Sequence, residues 1–264
     1  MARVKGLEHL TLLGLAPPEF VSVAAAAGFA AVGLRIAPVA PPVAGEEPWP
    51  MSPGSPMLAQ TVRRCADTGV EVLDVEAIRL RPGALDCEPV LEAAAELGAR
   101  YVNAVCEDPD LGRLADRFGE LVRSAKPYGV RPVIEFMAYR SVRSLGDAVA
   151  IAAASGGGGI LIDALHVRRC GADLGELAGV DPGLVGYLQL CDAPLAPPAD
   201  QVAEARTGRL LPGHGELPLA GLLAAVPGDV PVTVEVPHPD GRRDPAGFAV
   251  RARRALDLVL TKER

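Results

Sequence analysis

Pro132-Val133-Ile134-Glu135-Phe136 is a short apolar run, rich in β-branched side chains, that delivers one carboxylate near its C-terminal end. Gly129 stands ahead of it and the polar loop Tyr139-Arg140-Ser141 follows, the punctuation of a buried strand. Three later stretches repeat the pattern. Gly159-Ile160-Leu161-Ile162-Asp163 ends on Asp163, Val185-Gly186-Tyr187-Leu188-Gln189 on Gln189, and Pro231-Val232-Thr233-Val234-Glu235 on Glu235. Four strands each carry one oxygen-bearing side chain to the same end.

Working outward, strands are expected at 7–13, 31–35, 70–78 and 101–105 ahead of these four. Helices are expected at 17–27, 57–68, 88–97, 111–125, 144–154, 170–177, 219–225 and 245–260. Strict β–α alternation implies parallel strands joined by helical crossovers. An open doubly wound sheet would show a Gly-rich turn after its first strand, and Gly14-Leu15-Ala16-Pro17 offers none. The 264 residues suit the other architecture, a (β/α)8 TIM barrel of α/β class, with residues 1–264 forming one domain. Ser155-Gly156-Gly157-Gly158-Gly159 precedes a strand and lacks a following Lys-Ser/Thr, so it reads as an αβ turn rather than a phosphate loop. Two connections are long: 37–56, read either as a lid with Trp49 as its apolar plug or as a floppy surface insertion, with the lid favoured, and 192–218.

Composition narrows the function classes. Hydrophobic residues make up 49% and the net charge is -7, with Lys and Arg dispersed, which argues against a nucleic-acid or anionic-membrane surface. No apolar run is long enough to span a membrane, and the N-terminus lacks the apolar core of a signal peptide. Five cysteines without a CxxC pair suggest neither a zinc knuckle nor a disulfide framework, so a reduced, cytoplasmic setting is expected.

In a barrel, strand ends five to eight are neighbours on the face that carries the active site. Three carboxylates and an amide converging there would repel unless a cation compensates them. Glu135, Asp163, Gln189 and Glu235 are therefore the expected ligands of one divalent metal ion. An all-oxygen set suits manganese or magnesium, with cobalt, iron or zinc compatible. Asp163 alone could equally cap a helix, and His166 could be structural or could touch substrate. Arg35, Glu76, Arg206, His214 and Trp49 are further substrate-binding candidates, each with a plain packing or salt-bridge alternative; for Glu76 that partner would be Arg79 or Arg81.

The combined pattern resembles the xylose isomerase-like TIM barrel superfamily of sugar phosphate isomerases and epimerases. The resemblance rests on Glu135, on Asp163-Ala164-Leu165-His166, on Gln189-Leu190-Cys191-Asp192, on Leu211-Pro212-Gly213-His214-Gly215-Glu216-Leu217 and on Glu235. Gln189 stands where histidine is common, and His214 where an acidic residue is more usual. The resemblance implies that Glu135, Asp163, Gln189 and Glu235 hold the metal, and that Glu135 and Glu235 act on opposite faces of a substrate carbon, with His166 orienting a hydroxyl. The implied reaction is proton abstraction next to a carbonyl of a ketose or keto-polyol through a metal-stabilised enediolate. The alternative is a dehydratase acting on an inosose or dehydroshikimate-like substrate; its dehydroshikimate branch usually carries a histidine where this chain has Met137. A DNA-directed activity is disfavoured by only four histidines and the acidic charge. The expected partner is a small polyhydroxy molecule, and a homodimer is compatible with such relatives.

Overall fold

The computed structural model describes residues 3–36, 49 and 51–261. Eight parallel strands close into a barrel in sequence order. They are β1 (Lys5–Glu8), β2 (Ala31–Arg35), β3 (Glu71–Leu80), β4 (Tyr101–Cys106), β5 (Arg131–Glu135), β6 (Gly159–Asp163), β7 (Val185–Leu190) and β8 (Val232–Val234). Closure comes from β1, which pairs with β2 at Gly6↔Ala31 and with β8 at Lys5↔Val232.

The helices among the described residues are α1 (Pro17–Ala26), α2 (Pro56–Thr68), α3 (Glu88–Glu96), α4 (Leu111–Ala125), α5 (Leu145–Ala154), α6 (Ala164–Arg169), α7 (Leu174–Ala178), α8 (Gln201–Thr207), α9 (Leu219–Ala224), α10 (Pro239–Arg243) and α11 (Pro245–Thr261). Helix α4 shows how they form. Asp110 caps it by accepting from the Arg113 amide at 3.0 Å, and Leu114, Phe118, Leu121 and Ala125 recur on one buried face. Each of its large apolar side chains contributes about 1.5–3 kcal/mol by leaving water. The glycine run before β6 has a packing reason: a Cβ on Gly158 would lie 2.3 Å from the Phe118 ring.

Four sequence expectations change. The first strand stops at Glu8, and His9–Leu12 turns as a 3-10 helix. The turn is tied down by Thr11, whose hydroxyl donates to the Val234 carbonyl and accepts from the Val236 amide at 3.0 Å. The helix expected at 170–177 is instead α6 and α7, because Asp163 caps a helix at once and Gly171 (φ 67°) ends that turn. The loop expected over 192–218 contains α8, capped by Asp200. The last helical region begins with an extra short turn, α10, capped by the His238 ring. Of the expected lid, 37–48 and residue 50 lie outside the described residues.

Inside the barrel, Ala31, Leu73, Val133, Leu161 and Tyr187 form a buried cluster separate from the larger core between strands and helices. Side chains alternate across a strand, so a residue two further on shares the same face. Two beyond Val133, Leu161 and Tyr187 stand Glu135, Asp163 and Gln189. The inner apolar layer thus aims the candidate ligands at the barrel mouth.

Candidate active site

Glu135 and Asp163 end β5 and β6, Gln189 is the penultimate residue of β7, and Glu235 follows β8. All four are buried, at 6%, 0%, 1% and 4% exposure. Glu135, Asp163 and His166 each offer a ligand atom within 4.8 Å of the others, and His166 Nε2 lies 3.6 Å from Glu135 Oε1. Asp163 is a helix cap as well: its Oδ1 accepts from the His166 amide at 3.0 Å.

A residue that sequence reasoning missed sits in the middle of this set. Arg209 Nη1 donates to Asp163 Oδ2 at 2.6 Å and lies 2.8 Å from Glu235 Oε2, while its Nε donates to the Ala205 carbonyl at 2.8 Å. Arg206 had been named from this loop. The loop geometry explains the difference. Helix α8 ends at Thr207, and Leu210 then makes an antiparallel bridge to Asp192 just past β7, which sets Arg209 within reach of Asp163 and Glu235. The Asp192 carboxylate secures that loop by accepting from the amides of Gly213 and Leu217, both at 2.9 Å. The available signal was Arg209 itself, four residues ahead of Gly213 in the Pro-Gly turn.

One guanidinium cannot neutralise three buried carboxylates. Burial opposes the ionisation of Asp163, but Arg209 beside it, with His166, holds it below the usual range. Burial pushes Glu235 up to about 8 despite Arg209 at salt-bridge distance, with Glu76 and Asp163 adding to the rise. Glu135 is also held well above its ordinary value, by burial first and then by Asp163 and Glu235. The excess of negative groups is real, and the short Arg209–Glu235 contact does not remove it. His166 is pushed the other way, to about 4, chiefly by burial, so its ring stays neutral near pH 7.

The pocket above these residues has a volume of about 560 Å³ including its open mouth. Arg35 and Glu76 line it as a buried pair 2.7 Å apart, so the partner of Glu76 is Arg35 and not Arg79 or Arg81. Those two arginines hold Glu107, as does Arg140, which also lines the pocket. Asn103 donates to Glu135 Oε2 at 3.3 Å, and the Tyr139 ring meets His166 edge-on at 5.7 Å. Arg206 lines the same pocket. Two expected substrate contacts lie elsewhere. His214 is exposed on its loop, outside the pocket lining, because the Pro212-Gly213 turn points it outward; Trp49 is half-buried against the hydrophobic core and does not line the pocket.

Beneath the mouth lies a second acidic group that sequence reasoning did not assemble: Glu8, Asp74 and Glu76. Asp74 and Glu76 share a face of β3, with Glu76 at the mouth and Asp74 fully buried one layer down. The oxygens of Glu8 and Asp74 make no well-formed hydrogen bond among the described residues, although the Thr233 hydroxyl stands beside Glu8 and the Tyr187 hydroxyl beside Asp74. Gly33 makes room for them, since a Cβ there would lie 1.7 Å from Glu8 Oε2 and 2.5 Å from Asp74 Oδ1.

The residues at the strand ends fit a hard divalent cation. Three carboxylates supply the charge, and both polar atoms of the Gln189 amide are buried without a partner, an arrangement that a bound cation would relieve at the carbonyl oxygen. Glu135, Asp163, Gln189 and Glu235 are the residues that would hold it, once the Arg209 contact with two of them gives way.

Comparison with known proteins places this barrel. Among solved structures, a fusion protein of a xylose isomerase-like TIM barrel and 4-hydroxyphenylpyruvate dioxygenase superposes with a TM-score of 0.84 at 21% identity, over 100% of this chain and 44% of that one. This chain thus spans less than half of the fusion protein's length. An IolI protein with a bound zinc atom superposes with a TM-score of 0.81 at 19% identity, over 98% and 99% of the two chains. A D-psicose 3-epimerase, solved in the presence of D-fructose, gives 0.73 at 14% identity, over 96% and 97%. At these identities the likeness is one of fold. No curated protein matches the chain significantly. No helix among the described residues is long and apolar enough to cross a membrane. A family model described as a xylose isomerase-like TIM barrel matches residues 21–257. Matched over most of its length, the chain belongs to the xylose isomerase-like TIM barrel family.

Proposed function

We propose that the protein is a divalent-metal-dependent isomerase or epimerase acting on a ketose or related keto-polyol. The observation that carries this reading is the placement of Glu135 and Glu235 in one pocket lining, on non-adjacent parts of the barrel rim, with Asp163 and Gln189 between them in strand order. A cation held by the four residues would supply positive charge where oxygen becomes negative as a neighbouring carbon loses its proton.

The chain's own groups supply the rest. Glu135 and Glu235 are the two proton carriers: one takes the proton from the carbon beside the carbonyl, and the other returns a proton to the opposite face or to the neighbouring carbon. Without a cation, burial holds both carboxyls above their ordinary range, and a bound cation would draw them back towards the ionised form that accepts a proton. His166, neutral and 3.6 Å from Glu135, is suited to hydrogen-bond a substrate hydroxyl rather than to expel one. Arg35, Arg140, Arg206 and Arg209 concentrate donors on a pocket whose substrate must be rich in oxygen.

Incubation with a panel of ketoses, inososes and keto acids in deuterated water with Mn²⁺ tests this. The expected result is deuterium at the carbon beside the carbonyl, an isomeric product and no loss of water, all abolished in Glu235→Gln. Formation of an unsaturated, dehydrated product would overturn it in favour of the hydro-lyase reading.

A further inference from the structure

We infer that Arg209 is a built-in counter-cation that competes with the divalent ion for Asp163 and Glu235, and that loading the metal drives its guanidinium off these carboxylates into the pocket. The inference rests on the reading of the strand ends as a cation centre. It concerns a residue outside the ligand set and asks how that centre is kept before metal arrives.

The geometry is specific. A single nitrogen, Nη1, sits 2.6 Å from Asp163 Oδ2 and 2.8 Å from Glu235 Oε2, so it already holds oxygens from two of the four expected ligands. Both Asp163 oxygens are already engaged, Oδ1 by the His166 amide and Oδ2 by Arg209. A cation held by both Asp163 and Glu235 would compete for the oxygens that Nη1 holds. A second observation points the same way. The Gln189 amide, 1% exposed, has neither polar atom satisfied while Arg209 is in place, so this arrangement leaves one expected ligand idle. The side chain has somewhere to go. Arg209 already lines the pocket, and its backbone neighbour Leu210 is fixed by two 2.8 Å hydrogen bonds to Asp192. Only the side chain must turn, giving up the Asp163 and Glu235 contacts and the Nε bond to Ala205.

Two consequences follow. Without metal, Arg209 keeps the crowded carboxylates from being left wholly uncompensated. With metal, the released guanidinium becomes a positive group facing the substrate, so metal and an anionic or oxygen-rich ligand tighten each other's binding reciprocally.

The test is Mn²⁺ titration by calorimetry of the purified, metal-stripped full chain, comparing wild type with Arg209→Met, which keeps length and removes charge. The variant is expected to bind Mn²⁺ at least about tenfold more tightly, since a unit charge a few ångströms away opposes a cation strongly. Its metal-free form is expected to melt lower than wild type. Should the variant fail to fold, wild type answers alone. Modification of Arg209 by phenylglyoxal, followed by peptide mass spectrometry, is expected to rise several-fold at saturating Mn²⁺. Unchanged or weaker Mn²⁺ binding by the variant, or equal protection of Arg209 in metal-loaded wild type, overturns the inference while leaving the cation centre standing. Absence of binding of both Mn²⁺ and Zn²⁺ to either protein removes the cation centre, and this inference with it.

Discussion

Replacing Glu8 with glutamine should flatten part of the pH dependence of stability, and the size of the change follows from the buried layer beneath the mouth. Glu8 and Asp74 are 0% exposed and have no cation beside them, only the hydroxyls of Thr233 and Tyr187 and each other. Burial raises Glu8 well above its ordinary value, and Asp74, Glu76 and Glu235 add their repulsion. Asp74 is raised in the same way, by burial first and Glu76 next. The nearby cation, Arg35, is already paired with Glu76. A carboxyl whose folded-state value is raised keeps its proton in the fold after the unfolded chain has lost it. Its contribution to stability is therefore complete below the unfolded value and is lost as pH rises towards the folded value. Across that window each such proton costs about 1.4 kcal/mol per pH unit. The Glu8 share grows at about that rate over the whole interval between its unfolded and its raised folded value. Urea denaturation of wild type and Glu8→Gln at several pH values, in one metal-free buffer, measures the difference in slope. Glutamine keeps the shape and cannot ionise, so the variant should gain on wild type steadily as pH rises. Parallel profiles for the two proteins would refute the claim that Glu8 is held protonated in the barrel.

Three other outcomes are expected. Gly33→Ala should destabilise the fold by about 2–3 kcal/mol, since the new methyl would meet Glu8 Oε2 at 1.7 Å, and Glu8→Ala should recover much of that loss in a double-mutant cycle. Arg35→Met strands Glu76 without its 2.7 Å partner at 8% side-chain exposure and should cost about 3–5 kcal/mol, read as a lower urea midpoint at neutral pH. Glu235→Gln should leave the melting temperature of the metal-free protein unchanged or higher, because it removes a group that burial already pushes towards neutrality, while abolishing isotope exchange into substrate; a large fall in melting temperature would assign Glu235 a structural role instead.

The barrel was legible because its signal is local and repeated. Strands β5 to β8 each show a β-branched run ending near an oxygen-bearing side chain, and period-two alternation carries Glu135, Asp163 and Gln189 to one end whatever the connecting helices do. Arg209 was not legible in the same way. Its position depends on where α8 starts and on a bridge between Asp192 and Leu210, and neither is written in periodicity. His214 illustrates the converse. It belongs to a motif that reads as functional, yet the turn at Gly213 (φ 82°) directs it to solvent. The lower acidic layer escaped for a third reason. Glu8 lies next to a 3-10 turn and Asp74 in a strand with another acid, and alternation alone does not say that both face inward above an apolar cluster.

The charge distribution around the mouth separates structural acids from working ones. Glu107 is surrounded by Arg79, Arg81 and Arg140, and although burial opposes it, their hydrogen bonds and charge hold it at about 2. Glu76 has Arg35 at 2.7 Å. Both acids are supplied with cations and are fixed parts of the wall. Glu135, Asp163 and Glu235 instead share a single guanidinium, and the barrel keeps them together although their mutual repulsion weakens the fold. This shortage of positive charge, next to an amide with no partner, is the observation on which the proposed cation site rests. The planar guanidinium of Arg209 is fixed at two points, Nη1 against both carboxylates and Nε on the Ala205 carbonyl, which a single ammonium could not reproduce.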